Sequence, residues 1–215
     1  RLAPDAVISS NTSGIPLATT AAGLPESLRP RWLGTHFFNP PRYMRLLEVI
    51  PTAETDPGVS NRVSDFADRR LGKGVVVAKD SPGFIANRIG VFGALRTIEA
   101  VASGQVTVEE VDAISGPAIG RPKSATLRTM DIAGLDILAR VAGDLATRLP
   151  DANAATDYAV PPLLASLVQR SLLGEKTGGG FYRRVKTAAS STILGIDPAT
   201  LEYRESAKPR LPLLE

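Results

Sequence analysis

A histidine and a glutamate twelve positions after it are the residues of this chain best suited to move a proton. His36 is the only histidine among 215 residues, and Glu48 follows it within the segment LGTHFFNPPRYMRLLEVI (33–50). An imidazole titrates near neutral pH, and a carboxylate bonded to one ring nitrogen fixes its tautomer and stabilises the imidazolium once a proton arrives. The pair has the residue types of a general base with an orienting acid.

The same residues also have an ordinary structural interpretation. A lone histidine after a strand is commonly a hydrogen-bonded core residue, and an asparagine on a predicted helix, such as Asn87, is commonly polar surface. Glu48 is flanked by apolar residues, so it lies either on the solvent face of its strand or next to a dedicated partner. Taken singly, these residues do not predict an enzyme, and the interpretation depends on whether the fold brings them together.

Strands predicted in residues 1–80 must position these side chains. The predicted strands are at 6–10, 32–35, 45–50 and 74–80. Ser13 follows the first strand, while His36 and Asn39 follow the second, and functional residues of such sheets gather beyond the carboxyl ends of the strands. Glu48 lies in the third strand, where it can face His36 across neighbouring strands.

A helix is predicted between the last two strands. Asp56 suits the N-cap, Pro57 the first helical position and Gly72 the exit. The apolar residues at helical spacing on one face are Val59, Val63, Phe66 and Ala67. Because strand, helix and strand form a βαβ unit, strands 45–50 and 74–80 are expected to be parallel.

Residues 81–186 are predicted to form a helical domain, entered through a hinge at SPGF (81–84). The predicted helices are a first from Pro82 to Gly104, a second opened by a Thr107–Glu110 capping box, a third over 130–149 and a fourth from Pro162 to Gly174. We expect residues 187–215 to be a linker or tail, because 187–195 is small and polar.

The composition excludes several classes of site. The net charge is +3 and no run of like charges occurs, so we expect no nucleic-acid partner. With no cysteine and one histidine, we expect neither a disulfide framework nor a metal site built from thiolates or histidines. No apolar run has the length of a membrane span, and we expect a cytoplasmic protein.

Four motifs carry a resemblance to a known family. They are SSNTSGIP (9–16), GTHFFNPPRYMRLLEVI (34–50), KDSPGFIANRI (79–89) and GEKTGGGFY (174–182). In order and spacing they resemble the C-terminal two thirds of 3-hydroxyacyl-CoA dehydrogenases, over residues 5–183. The resemblance implies an α/β region followed by an all-α region: a partial Rossmann-like NAD-binding domain at 1–80, without its first βαβ unit, and the helical C-terminal domain at 81–186.

The resemblance also implies the catalytic roles. His36 matches the base that takes the proton of the substrate 3-hydroxyl as a hydride leaves C3 for NAD, and Glu48 matches its carboxylate partner. Ser13 matches the serine that hydrogen bonds the reacting oxygen. Asn87 matches the asparagine that orients the substrate and the histidine.

Further positions match residues near the cofactor. Asn11 and Asn39 match positions beside the nicotinamide and its ribose, and Lys176 matches a lysine near the cofactor or the acyl-CoA. The implied reaction is the oxidation of (S)-3-hydroxyacyl-CoA to 3-oxoacyl-CoA in fatty-acid β-oxidation. By itself, the KTGGGF stretch (176–181) lacks the order of a phosphate loop and predicts a turn.

The glycine-rich fingerprint of dinucleotide-binding domains, G-x-G-x-x-G, is absent from the sequence. The family places this motif upstream of AVISSNTS (6–13), so we expect the chain to be a fragment of a longer enzyme. We expect residues 1–215 to be inactive on their own and to bind NAD weakly or not at all, which calorimetry would test. The exposed strand edge would favour self-association.

Two alternatives stay open. The chain can be a non-catalytic module that binds acyl-CoA and dimerises, or a dehydrogenase of small hydroxy acids; the latter commonly uses a lysine where this chain has Asn87. The resemblance further implies a homodimer formed through the helical domain. Segments 116–136 and 193–212 resemble long bacterial members of the family, in which a hydratase-like domain follows.

Overall fold

The computed structural model describes residues 3, 5–186, 190–206, 208–209 and 211. The chain forms two compact units that divide between Ile89 and Gly90. The sequence places a domain boundary after residue 80, whereas the division between the compact units falls inside the first long helix.

The first unit is a mixed sheet with helices packed on both faces. In spatial order its strands are β1 (Ile8–Ser10), β2 (Trp32–Phe37), β3 (Leu46–Pro51) and β4 (Gly74–Val77). β1 and β2 are parallel, β2 and β3 are antiparallel, and β3 and β4 are parallel. The parallel pairing predicted for the strand–helix–strand segment is therefore confirmed.

The helices of this unit are α1 (Leu17–Ala22), a 3₁₀ helix (Glu26–Arg31) and α2 (Pro57–Leu71). The predicted ends of α2 are confirmed: the Asp56 carboxylate accepts the Gly58 N–H at 2.7 Å, and Gly72 ends the helix with a left-handed φ of 64°. Phe66, which the helical spacing places on one face with Val59, Val63 and Ala67, is 55% exposed. It borders an open cavity of about 420 Å³ beside residues 5–7, which do not cover the ring.

Successive residues of a strand point to opposite faces of the sheet, which produces two apolar layers. Trp32 and Ile50 face α1 and pack with Leu17, whereas Leu33 and Val49 belong to the layer that packs on α2. Alternation places His36 and Glu48 on the α1 face, because they lie an even number of residues from Trp32 and Ile50. The site is therefore built on the side of the sheet that α1 covers.

The second unit is mainly helical. Its helices are the remainder of α3 (Ala86–Ala102), α4 (Val108–Ile114), α5 (Leu127–Ala133), α6 (Leu135–Arg148), α7 (Ala152–Thr156) and α8 (Pro162–Gln169), with 3₁₀ helices at Pro117–Ile119 and Glu175–Thr177. Fully buried apolar side chains from several of these helices, together with Phe181 just before the strand that follows, form one core; the helical ones include Leu95, Ile98, Leu127, Leu135 and Leu164. The helical part of the predicted architecture is confirmed.

Several predicted helix limits differ from the structure. Pro82 lies in a turn, and α3 starts only at Ala86. The helix predicted over 130–149 is broken at Gly134, because a φ of 102° is incompatible with an α-helix. α8 ends at Gln169, before the predicted Gly174. The capping box of α4 is present as predicted.

A three-stranded antiparallel sheet follows the helices. Its strands, in spatial order, are β5 (Tyr182–Lys186), β6 (Ser191–Ile196) and β7 (Tyr203–Glu205). The sequence predicts a linker or tail here, but the described part of 187–215 instead contributes β6 and β7. Ile196 is fully buried in the core of the unit, and this long-range packing fixes a segment whose local composition is polar. Residues 187–189 lie outside the described residues.

Of the helices in the described part of the chain, none could span a lipid bilayer.

Candidate active site

His36 and Glu48 are directly opposite each other in the antiparallel pair β2–β3. Residues in that relation project side by side from one face of a sheet. His36 Nδ1 lies 2.7 Å from Glu48 Oε2, and the residues are only 4% and 1% exposed. The sequence places His36 after its strand, whereas β2 continues to Phe37; this longer strand is what creates the direct pairing.

The second oxygen of Glu48 is bonded to the start of α3. Glu48 Oε1 accepts the backbone N–H groups of Ile85 and Ala86, each at 2.9 Å. The first N–H groups of a helix have no partner within the helix, so a carboxylate placed there satisfies them. The Glu48 side chain is thereby fixed at both oxygens.

Sequence reasoning missed these α3 contacts to Glu48. A signal was present, because the segment before α3, SPGFI (81–85), offers no Ser, Thr, Asp or Asn in the N-cap position immediately before Ala86. At a helix start that lacks its own cap, an acceptor from elsewhere in the fold can satisfy the first N–H groups. Glu48, an acid within an apolar strand, is that acceptor.

Two aromatic rings surround the imidazole. The centroid of Phe38 lies 4.5 Å and that of Phe84 5.6 Å from the His36 ring centroid, both tilted. An ionised carboxylate only accepts hydrogen bonds, so the proton is assigned to Nδ1 of His36. Within the described part of the chain Nδ1 alone of the ring nitrogens is hydrogen bonded, which leaves the Nε2 lone pair free to accept a proton.

The side chain of Asn87 is hydrogen bonded to the backbone of Ser13. Asn87 Nδ2, in the first turn of α3, donates to the Ser13 carbonyl oxygen at 3.1 Å. The loop that carries Ser13 is closed by the Thr12 hydroxyl, which accepts the Ile15 N–H at 2.8 Å. The Ser13 side chain is exposed and makes no hydrogen bond within the described residues.

Asp80 is a second residue that sequence reasoning missed. Its carboxylate accepts the N–H groups of Leu17 and Ala18, at 3.0 and 2.8 Å, at the start of α1. Because α1 directly follows the Ser13 loop, Asp80 holds the exit of that loop. The signal is its place in KDSPGF, directly after an apolar strand.

The two other asparagines that the sequence predicts in the site lie at strand ends. Asn11 Oδ1 accepts the Phe37 N–H at 2.9 Å and so links the ends of β1 and β2. Asn39 is exposed in the turn after β2, before a cis peptide bond to Pro40. The first unit thus contains six of the predicted site residues, and hydrogen bonds link their strands and loops.

Lys176 is in the second unit, in the 3₁₀ helix Glu175–Thr177. Its ammonium pairs with Asp136 at 2.5 Å, and this hydrogen bond is the main cause that lowers the pKa of Asp136. Both side chains are partly exposed, so the pair is weakly stabilising. The structure gives Lys176 a carboxylate partner within its own unit.

The glycines near Lys176 allow close packing around Asp131. A Cβ on Gly174 would lie 2.1 Å from the Asp131 backbone oxygen, and a Cβ on Gly180 2.0 Å from its Oδ1. Asp131 accepts the N–H groups of Phe181 and Tyr182, while burial raises its pKa to about 6. The KTGGGF stretch is therefore a structural turn, in keeping with the interpretation of the sequence.

A mixed sheet of this order followed by a helical unit, with a buried histidine–carboxylate pair near the end of β2, has the architecture of a Rossmann-like domain joined to a helical domain. Two family models match the chain: "3-hydroxyacyl-CoA dehydrogenase, NAD binding domain" over residues 1–81, and "3-hydroxyacyl-CoA dehydrogenase, C-terminal domain" over 83–184. The chain belongs to the 3-hydroxyacyl-CoA dehydrogenase family, and residues 1–81 are part of its NAD-binding domain.

Proteins that are similar in sequence and in structure support this family assignment. A probable 3-hydroxyacyl-CoA dehydrogenase of Bacillus subtilis is 45% identical over 97% of this chain and 26% of its own length. One of Deinococcus radiodurans is 49% identical over 84% of this chain and 51% of its own length. The crystal structure of Mycobacterium tuberculosis FadB2 has a TM-score of 0.76 at 38% identity, over 86% of this chain and 62% of that one. The chain spans about a quarter to a half of the two curated relatives.

Proposed function

We propose that His36 is the general base of an NAD-dependent (S)-3-hydroxyacyl-CoA dehydrogenase. One observation carries the proposal: His36 Nδ1 is 2.7 Å from a buried carboxylate, while Nε2 has no hydrogen-bond partner in the described part of the chain. This arrangement is what a base needs, because the orienting bond leaves the accepting nitrogen free. The names of the relatives supply the substrate class.

His36 Nε2 takes the proton of the substrate 3-hydroxyl as the C3–H bond breaks and the 3-oxo group forms. NAD, when bound, accepts the hydride from C3. Glu48 stabilises the imidazolium through a charge-assisted hydrogen bond to Nδ1. In the reverse direction the imidazolium returns the proton to the carbonyl oxygen of the 3-oxoacyl-CoA.

Ser13 and Asn87 orient the reacting oxygen in this proposal. The Ser13 hydroxyl is exposed and has no hydrogen-bond partner among the described residues, so it is available to the substrate oxygen. Asn87 donates to the Ser13 carbonyl oxygen and thereby holds the serine loop against the start of α3. Both groups are neutral and can position an oxygen without changing the charge of the site.

The residues at the sheet edge fit the nicotinamide end of NAD. Asn11 uses only its Oδ1 to bind Phe37, and the Asn39 side chain is exposed and unbonded within the described residues, so amide groups of both remain available. The glycine-rich diphosphate motif is absent from these 215 residues. We propose that the chain acts within a longer polypeptide, and that Lys176 contributes near the cofactor or acyl-CoA.

The wider setting is part of the same proposal. We assign the reaction to fatty-acid β-oxidation in the cytoplasm, in a homodimer formed through the helical unit. The second unit exposes large apolar side chains that such an interface would cover, including Ile114, Ile119, Ile132 and Ile137. A hydratase-like domain after this chain is proposed for the full-length protein.

The test is His36→Gln in the protein encoded by the complete reading frame. With 3-hydroxybutyryl-CoA and NAD, we expect kcat, followed as NADH absorbance, to fall by about 10²–10⁴-fold while the thermal unfolding midpoint changes little. The matched control is Thr55→Val, which removes a buried hydroxyl bonded to the Trp32 carbonyl oxygen at 2.6 Å. It should lower stability but leave kcat within a few-fold.

The proposal is wrong if His36→Gln retains wild-type kcat, or if it loses activity only in proportion to the fraction unfolded. No NAD-dependent oxidation by the wild-type protein would favour the non-catalytic acyl-CoA-binding module instead.

A further inference from the structure

Lys73 is a buried cation outside the histidine–glutamate pair. It is 7% exposed and follows Gly72, the left-handed residue that ends α2. Its own N–H donates to the Ala67 carbonyl oxygen at 3.0 Å, so the end of the helix fixes its backbone. A buried ammonium group is unfavourable unless acceptors surround it, so the acceptors of Lys73 indicate its role.

The acceptors are backbone oxygens of the loop between β2 and β3. Lys73 Nζ donates to the carbonyl oxygens of Pro41 and, at 2.7 Å, of Met44. It also lies 5.7 Å from the centroid of the Phe37 ring, within range of a cation–π interaction. Among the described residues, no carboxylate pairs with this ammonium. The hydrogen bonds of the Lys73 ammonium group therefore hold the loop between β2 and β3.

That loop, residues 39–45, has little else to hold it. Every one of its side chains is exposed, so apolar packing does not fix its conformation. Its internal bonds are local, from the N–H groups of Tyr43 and Met44 to the Pro40 carbonyl oxygen. The N–H of Gly74 donates to the Arg45 carbonyl oxygen at the far end. Lys73 therefore holds the middle of the loop through its hydrogen bonds to the Pro41 and Met44 carbonyl oxygens.

The loop starts next to the proposed base. Phe38, whose ring contacts His36, immediately precedes it, and Asn39 is its first residue. We propose that Lys73 is a positioning residue: it clamps loop 39–45 through two carbonyl oxygens and so holds Asn39 where the nicotinamide end of NAD binds. The part concerning NAD rests on the proposed function, whereas the clamp itself rests on the contacts of Lys73.

Lys73→Met tests the clamp, because it keeps the length of the side chain and removes the donors. The freed carbonyl oxygens are on an exposed loop that water can reach, so the fold is expected to survive while the loop loosens. In the full-length protein, we expect trypsin to cut after Arg42 about tenfold faster or more, with little change in the unfolding midpoint. We expect the KM for NAD to rise about tenfold, while kcat at saturating NAD stays within about threefold.

Two control variants and one fallback variant complete the design. Lys123→Met removes an exposed lysine in the second unit and is the charge-matched control, expected to match the wild type in both measurements. Lys73→Arg keeps the charge and donors and should restore slow cleavage and a low KM. If Lys73→Met does not fold, Lys73→Gln, which keeps one amide donor on a shorter stem, is measured in the same way and should show the same direction of change.

Cleavage after Arg42 at the wild-type rate would overturn the clamp. Faster cleavage with an unchanged KM for NAD would overturn its link to the cofactor. A wild-type protein that does not oxidise 3-hydroxyacyl-CoA would contradict the proposed function, and the proteolysis result would still decide whether Lys73 holds the loop.

Discussion

Replacing Glu48 with glutamine tests how the carboxylate sets the tautomer of His36. Glu48 accepts from His36 Nδ1 with Oε2 and from the Ile85 and Ala86 N–H groups with Oε1. Glutamine has one oxygen and one NH₂ group to place. With its oxygen toward α3, the NH₂ faces Nδ1, which must then accept, so the ring proton moves to Nε2 and blocks the base.

The structure gives the size of this effect. The opposite orientation keeps the reactive tautomer but points the NH₂ at two partly buried N–H donors and leaves them unpaired, at about 1–3 kcal/mol each. The orientation that blocks the base is therefore favoured by about 2–6 kcal/mol, and the reactive orientation makes up roughly one in 30 to one in 10⁴ of the molecules. We therefore expect Glu48→Gln to lower kcat by about 30-fold to 10⁴-fold, since the equivalent change in a serine-protease triad costs about 10⁴-fold.

The assay is NADH formation at saturating 3-hydroxybutyryl-CoA and NAD, with stability measured by urea unfolding. Glu109→Gln is the matched control, because Glu109 is also a buried carboxylate and pairs with Arg204 in the second unit. It should leave kcat within about threefold of the wild type. A folded Glu48→Gln protein with kcat within threefold of the wild type would refute the role given to Glu48.

Two further predictions concern the stability of the second unit. Burial raises the folded-state pKa of Asp131 from 3.8 to about 6, so folding favours its protonated form. Relative to Asp131→Asn, the wild type should therefore lose up to about 3 kcal/mol of its free energy of unfolding as the pH rises from about 4 to about 6. Urea unfolding at each pH measures this difference. A flat difference would contradict this. Gly180→Ala would place a Cβ 2.0 Å from Asp131 Oδ1 and should lower the thermal unfolding midpoint by several degrees, whereas Gly143→Ala, with open space around its Cβ, should not.

Much of the first unit follows from local sequence rules. The ends of α2 are set by Asp56, Pro57 and Gly72, which act within a few residues of themselves. The β2–β3 pairing of His36 with Glu48 requires one more condition, the register between two strands, and the sequence indicated only that the two strands are neighbours. The proximity was therefore predictable and the direct opposition was not.

The missed features depend on contacts between distant parts of the chain. The Ile85 and Ala86 N–H groups reach Glu48 across 37 and 38 residues, and no local pattern specifies that. The strands β6 and β7 are fixed by strand pairing and by the burial of Ile196. Tertiary contacts outweigh local propensity in both cases.

The protonation state of the His36 ring is the most direct test of its role as the base. Histidine labelled with ¹⁵N in the full-length protein would be observed by NMR above neutral pH, and the His36 signals are those missing from His36→Gln. We expect a neutral ring that is protonated at Nδ1 and unprotonated at Nε2, changing to the Nε2-protonated form in Glu48→Gln. A wild-type ring protonated at Nε2 would contradict the assignment of His36 as the base.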